Sequence, residues 1–440
     1  MTIATKSRRT GRGRRVNQDA LVSPRDILTI EYMLGGLSAI GLLVGRWNLS
    51  RIFPGDSVGL GDDSLAWLLE PRWTVLILQF ILLAGFRKRG ATRQNSEETS
   101  PLLWCMIFFS YLLLSTLWSP IDNFSKPAEV LNVALAVLAI RGALTNFNPV
   151  RIEAAFWYTL LTIASLIMGL ALVGQLSGEL IGTRAATLGG GPNTLGRMMG
   201  LMALGSVALF NTRRRIIPWG PMFAAALSLI ILSGSRGALL SVTVGLAVMA
   251  IGYGKAGLRV IVSGLGLAAI TAVLISFSDL ADPIAQTFES RVIFLTFEDG
   301  YSAGRTAIYS DALMALESNP FLGLGLGGFQ LIGWNHYPHN LFLEAGSEAG
   351  YLGILLLTLL LLGTFRWLYS SNVRTVMATV PAMILCLTFA QTRGDIFDNR
   401  MVFIFLALAV STRSKPAGQK RLRRRSRFTP PADRNSTHPD

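Results

Sequence analysis

The stretch NHYPHNLFLEAGSEAGYLGILLLTLLLL starts at Asn335 and carries two of the chain's three histidines, His336 and His339. Glu344 and Glu348 follow one helical turn apart, directly before a long apolar run. A histidine titrating near ~6.5 is a proton acceptor at neutral pH, and a carboxylate beside it can orient it or bind a hydroxyl. Such groups are costly at the mouth of an apolar helix unless they face protein or water. Stepping ~100° per residue along a helix that begins near His339 puts Asn340, Glu344, Ser347, Glu348 and Tyr351 within one ~100° arc. His339 stands just beside that arc, while Leu341, Phe342 and Leu352 fall on the other side. The predicted helix is therefore striped, with its polar face turned away from lipid. His336, outside it, reads as a loop residue, and His438 lies in the polar tail.

A second set of residues offers a charge partner. Arg184 and Arg197 lie in IGTRAATLGGGPNTLGRMMG, Arg236 in ILSGSRGALL, and Arg291 and Arg305 in a longer polar stretch. Any one of them is explained by snorkelling to headgroups. As a set, their planar forks suit the oxygens of a diphosphate, which several guanidinium groups can hold without a metal.

These residues need a frame, and composition supplies it. The chain has 440 residues, 51% hydrophobic and 15% charged, with a mean hydropathy of +0.46. That balance excludes an ordinary soluble protein and predicts an all-α, polytopic membrane protein. About twelve apolar runs can be read, starting at 27–44 and ending at 401–411. With the N-terminus inside, 29 of the 40 Lys and Arg fall on cytoplasmic segments, so both termini are expected to be cytoplasmic. All five arginines above then fall on the outer side, against the general bias. Residues 1–26 and 412–440 read as basic, disordered cytoplasmic ends flanking a transmembrane domain over 27–411. KSRRTGRGRR precedes its apolar run by more than ten residues with no small-residue cleavage site, so the first helix is expected to be retained.

The net charge of +14 and the run QKRLRRRSR are juxtamembrane features that contact membrane lipids, and no nucleic-acid partner is expected. Cys105 and Cys386 lie inside predicted helices and lack metal-ligand spacing. DIFDN, at 395–399, reads as an outer turn flanked by Arg393 and Arg400.

The longest connection, at 278–338, is an outer loop with room for short helices. In it, SAGRTAIYSDALMALESNP sets Ile308, Ala312, Leu313 and Leu316 at helical spacing, and Pro320 stops the helix. FLGLGLGGF then places four glycines between Gly323 and Gly328. That composition suits a tight, bent loop pressed against other backbone. It lacks the strand and helix that a dinucleotide fingerprint needs.

Together, GRTAIYSDALMALESNPFLGLGLGGF and YPHNLFLEAGSEAGYLG resemble the O-antigen ligase / O-antigen polymerase superfamily of bacterial membrane glycosyltransferases. The resemblance covers about 304–353, with weaker support around 233–240 and 184–197. It implies a polyprenyl-diphosphate-linked oligosaccharide donor, a glycan or lipid acceptor, and transfer on the outer face of the cytoplasmic (inner) membrane without metal, nucleotide or other cofactor. It further implies His339 as the proton acceptor and Glu344 as its catalytic partner. Arg305, with Arg197, Arg184, Arg236 or Arg291, would bind the diphosphate; Asn340 and Glu348 would orient the acceptor. Polysaccharide-export machinery is an implied partner. Polymerase, lipid A-core ligase and protein O-oligosaccharyltransferase share this pattern. A lipid-glycan transporter is the alternative of a different class, needing the arginines but no proton acceptor.

Overall fold

A computed structural model describes residues 29–44, 71–86, 100–121, 124–176, 185–188, 190–213, 218–252, 281–290, 305–332, 337–370 and 378–411, with isolated positions between 259 and 294. The polar ends at 1–26 and 412–440, Arg184, Arg291 and His336 lie outside the described residues. The ninth apolar run and the 278–338 loop are described only in part.

Among the described residues thirteen α-helices follow one another: α1 (Ile30–Leu43), α2 (Pro71–Gly85), α3 (Ser100–Leu114), α4 (Ser125–Asn146), α5 (Pro149–Leu176), α6 (Pro192–Arg213), α7 (Trp219–Leu232), α8 (Arg236–Gly252), α9 (Ala281–Thr287), α10 (Arg305–Ser318), α11 (Leu341–Ser370), α12 (Thr379–Ala390) and α13 (Arg400–Ser411). Four stretches are long and apolar enough to cross a bilayer: Pro101–Trp118, Ser125–Asn146, Pro149–Gly174 and Leu341–Tyr369. Six shorter apolar helices accompany them. The bundle turns Ile77, Ile81, Leu103, Leu166, Val173, Leu355 and Leu362 outward, each more than half exposed. Apolar surface on that scale needs lipid around it. The chain is an all-helical membrane protein.

Between lipid-bathed helices, close backbone approach and dispersion replace the hydrophobic drive. Small residues make that approach possible. A Cβ on Gly35 of α1 would meet Ile152 O of α5 at 2.4 Å, and one on Gly205 of α6 would meet Leu161 of α5 at 2.6 Å. Interlocked rings fill the interior: Phe109 sits edge-on to Phe403 at 4.8 Å, and Phe156 to Phe405 at 5.5 Å. Cys105 and Cys386 are buried and free, as core residues should be.

Contacts gather the ends of α1, α3, α7 and α12 and the starts of α2, α4, α6, α8, α11 and α13 at one end of the bundle. Side-chain bonds tie that end together: Arg400 Nη2 donates to Val44 O at 2.8 Å, and Ser119 Oγ to Leu326 O at 2.8 Å.

The glycine-rich loop is bent and pressed onto backbone. Gly323, Gly325 and Gly327 all have positive φ. A Cβ on Gly323 would lie 2.4 Å from Glu348 C, and one on Gly325 would lie 2.5 Å from Ser119 Cα. Only glycine tolerates both the conformation and the approach. The loop donates Leu324 N–H to Ser347 O and Gly325 N–H to Glu348 O, each at 2.9 Å. Helix α10 ends before Pro320, with Ile308, Ala312, Ala315 and Leu316 buried. Leu313, expected on that inner face, is 48% exposed, whereas Ala315 is buried.

Candidate active site

The mouth of α11 is built differently from a helix starting near His339. His339 has a φ of +59°, outside helical geometry, and α11 begins at Leu341. Asn340 is the cap: its Oδ1 accepts from Phe342 N at 2.9 Å and Leu343 N at 3.1 Å. An asparagine that satisfies two orphan donors fixes where the helix begins. His339 is thereby held outside the first turn, half-buried, with its ring edge-on to Tyr337 at 4.6 Å.

The expected arc also ends sooner. Gly350 breaks α11 with φ 66° and ψ −166°, and Tyr351 N–H bonds Pro320 O at 2.6 Å. Tyr351 leaves the stripe and is 54% exposed. The break is forced by the glycine-rich loop, since a Cβ on Gly350 would lie 2.3 Å from Phe321 O. The remainder of the stripe faces protein: Glu344 and Glu348 are each 3% exposed and Ser347 is fully buried.

Three elements converge beside His339. Gln391 O, at the end of α12, accepts from Asn340 Nδ2 and from Tyr309 Oη of α10, both at 3.2 Å. Tyr309 is one helical turn beyond Arg305, so this carbonyl joins the starts of α10 and α11 to the α12–α13 turn. Arg305 is half-buried, and its pKa is lowered by burial and by the neighbouring Arg236 and Arg393. His339 is pushed down to about 4, first by burial, then by the positive charges of Arg393 and Arg305, with Asp395 opposing. The imidazole is neutral at physiological pH, and its buried Nδ1 has no hydrogen-bond partner among the described residues. A neutral imidazole has a lone pair that can accept a proton, and the guanidinium groups near it can attract an anion.

Of the expected diphosphate ligands, the structure brings Arg305 to His339 and Arg236 to Arg305. Arg197 is 3% exposed, donates Nη1 to Asp398 O at 2.9 Å and lies over the Phe389 ring at 5.0 Å. It braces the α12–α13 turn from within. Glu344 accepts the backbone N–H of Ile396 at 3.0 Å on Oε1, while Oε2 is buried without a hydrogen-bond partner. Glu348 faces Gly327, whose backbone N–H bonds its carboxylate.

Sequence reasoning read 395–399 as an outer turn flanked by Arg393 and Arg400, and a turn stands there; what it missed are the contacts that build the turn. Asp395 is buried and pairs with Lys126 of α4. Lys126 also lies 3.6 Å from Glu129, which lies 3.5 Å from Arg72. Arg400 sits over the Phe397 ring at 4.4 Å, and Arg72 over the same ring at 4.6 Å. Arg393 is exposed and close enough to His339 and Arg305 to act on both electrostatically. Two signals were available: Lys126 is a cation on the side where the positive-inside bias forbids one, and TRGDIFDNR is a dense polar run between apolar helices.

Residues 221–358 match a family model described as O-antigen ligase. No curated protein matches the chain. The matched stretch runs from α7 to the second half of α11 and contains Arg236, Arg305, His339, Glu344 and Glu348. Over residues 221–358 the chain is therefore similar to the O-antigen ligase family, and that match supports the O-antigen ligase superfamily.

Proposed function

We propose that this protein transfers or polymerises glycan from a polyprenyl-diphosphate-linked donor, on the outer face of the inner membrane and without a metal. The observation that carries this reading is His339, held neutral and half-buried beside Arg305 and Arg393. An acceptor hydroxyl attacks the anomeric carbon of the donor. A new C–O bond forms, the bond to the diphosphate breaks, and the diphosphate leaves with the bonding electrons. His339 takes the hydroxyl proton. Arg305 and Arg236, with Arg184 and Arg291 as further candidates, offset the charge that grows on the leaving oxygen, whereas Arg197 is engaged within the α12–α13 turn. Asn340 and Glu348 shape the acceptor side.

In this reading about twelve spans over 27–411 carry the reaction, the 278–338 loop faces outward, and the basic ends at 1–26 and 412–440 are cytoplasmic. Export machinery for the finished polysaccharide is a fitting partner.

The test is direct. Purified protein is incubated with a lipid-diphosphate oligosaccharide and, separately, a second lipid-linked glycan, lipid A-core or an acceptor protein, with chelator present. A ladder of products supports a polymerase, and a single addition supports a ligase. Donor binding without any product in every arm would sink the catalytic reading and favour transport of the lipid-linked glycan.

A further inference from the structure

We propose that Arg393 is a further diphosphate-binding residue, and that the part-buried Lys126–Asp395 pair is the positioning strut that keeps it beside His339. The proposal rests on the donor class given above.

The geometry of the α12–α13 turn points this way. Arg393 is exposed, whereas every residue from Gly394 to Arg400 is buried. Such a turn is anchored everywhere except at one guanidinium. The anchors come from three helices and from the turn itself. Gln391 O holds Tyr309 of α10 and Asn340 at the cap of α11. Ile396 N–H goes to Glu344 of α11 at 3.0 Å. Asp395 joins Lys126 of α4, and its Oδ1 accepts from Asp398 N at 2.7 Å. Asn399 Nδ2 donates to Arg393 O at 3.2 Å. Gly394, with a φ of +83°, makes the bend, and a Cβ there would lie 2.6 Å from Asp398 Cβ. The guanidinium itself is braced once, from α6. With its oxygen turned toward Arg393, the Asn193 amide accepts from Nε at 3.1 Å and Nη1 at 3.3 Å, and donates to Ser235 Oγ at 2.9 Å. Nη2 keeps no protein partner among the described residues. An arginine that is fixed along one edge and open on the other is preorganised for a phosphate oxygen.

Lys126–Asp395 is the connection from α4 to this turn. A buried ion pair contributes little net stability, because desolvating both charges offsets their attraction. It does impose a register, since either charge left alone is strongly unfavourable. Here the register it imposes is that of the turn bearing Arg393. Lys126 and Asp395 therefore act through Arg393, and neither needs to touch substrate.

The experiment measures binding of undecaprenyl diphosphate to the purified full-length protein in detergent, with thermal melting as a folding control. Arg393→Lys keeps the charge and loses the fork, and weakens binding about tenfold. Replacing the pair by Lys126→Met with Asp395→Asn weakens it by a similar factor. Combining all three changes costs no more than about twofold beyond Arg393→Lys alone, because the strut and the arginine act as one unit. Asn193→Ala, at a half-buried position, loosens the brace and weakens binding roughly threefold, a measure that does not depend on the ion pair. Wild-type affinity in Arg393→Lys, while Arg305→Lys still weakens binding, overturns the proposal and leaves the donor reading standing. Factors for the arginine and the pair that simply multiply overturn the strut. No binding by the wild-type protein refutes the donor reading instead.

Discussion

Glu344 on α11 receives the backbone N–H of Ile396 at 3.0 Å, across a gap of 52 residues. One buried carboxylate oxygen thereby ties the His339-bearing mouth of α11 to the turn that carries Arg393 and Asp395. A bond of this kind needs an acceptor more than it needs a charge. Glu344→Gln, with the amide oxygen turned to Ile396, is expected to keep glycan transfer within about fivefold of wild type, the worth of roughly 1 kcal/mol. Glu344→Ala leaves the Ile396 N–H unsatisfied and should reduce transfer far more. Equal losses in the two variants would assign Glu344 a role that needs its negative charge.

His339→Ala is expected to abolish glycan transfer while membrane insertion, melting temperature and donor binding stay near wild type. General-base catalysis supplies ~10²–10⁴-fold, so the residual rate should fall in that range. Full transfer by the variant would remove His339 from the reaction.

The pH profile follows from burial and the nearby guanidinium groups. His339 is pushed down to about 4 from its ordinary 6.5. As a base it works when deprotonated, so kcat/KM in the free protein should hold level from neutral pH to about 5 and fall as pH approaches 4. The sign for stability is the same. Between pH 6.5 and 4 the unfolded chain binds a proton at His339 that the folded state does not, so stability declines as pH drops through that window. Arg393→Ala removes the stronger of the two neighbouring positive charges and should move the acid limb upward. A limb that stays in place in Arg393→Ala would mean that burial alone sets the histidine.

Arg305→Lys retains the charge at the start of α10 but loses the planar fork. Transfer is expected to fall about tenfold or more, with weaker donor binding. Turnover at the wild-type level would reduce Arg305 to an interfacial arginine.

Gly350→Ala tests the break in α11. The site needs a φ of 66° and has Phe321 O 2.3 Å from the position a Cβ would take. The backbone conformation alone costs ~1–2 kcal/mol in a residue with a Cβ. The close contact adds to it, so the glycine-rich loop must lift. Protease cleavage within 320–332 should speed up and the melting temperature should drop. Unchanged proteolysis would show that the loop does not depend on the break.

Much of this was legible in the residues themselves. Hydropathy and charge bias reported a helical membrane protein because every backbone group in lipid must be paired within its own segment, which leaves a period and a length in the sequence. FLGLGLGGF announced its bent, closely packed path because only glycine fits positive φ beside another backbone. His339, Glu344 and Arg305 stood out as costly groups beside apolar runs, and their cost is a local property. What the sequence could not determine is which costly groups meet. Arg197 and Arg236 look alike in sequence, yet one is buried behind the α12–α13 turn and the other joins Arg305. Lys126 and Asp395 lie 269 residues apart and find each other only when α4 packs against α13. His339 left its expected helix because Asn340 capped first, and Tyr351 left the polar stripe because a distant loop broke α11 at Gly350. Local composition sets the price of each charge; only the packed bundle decides which partner offsets it.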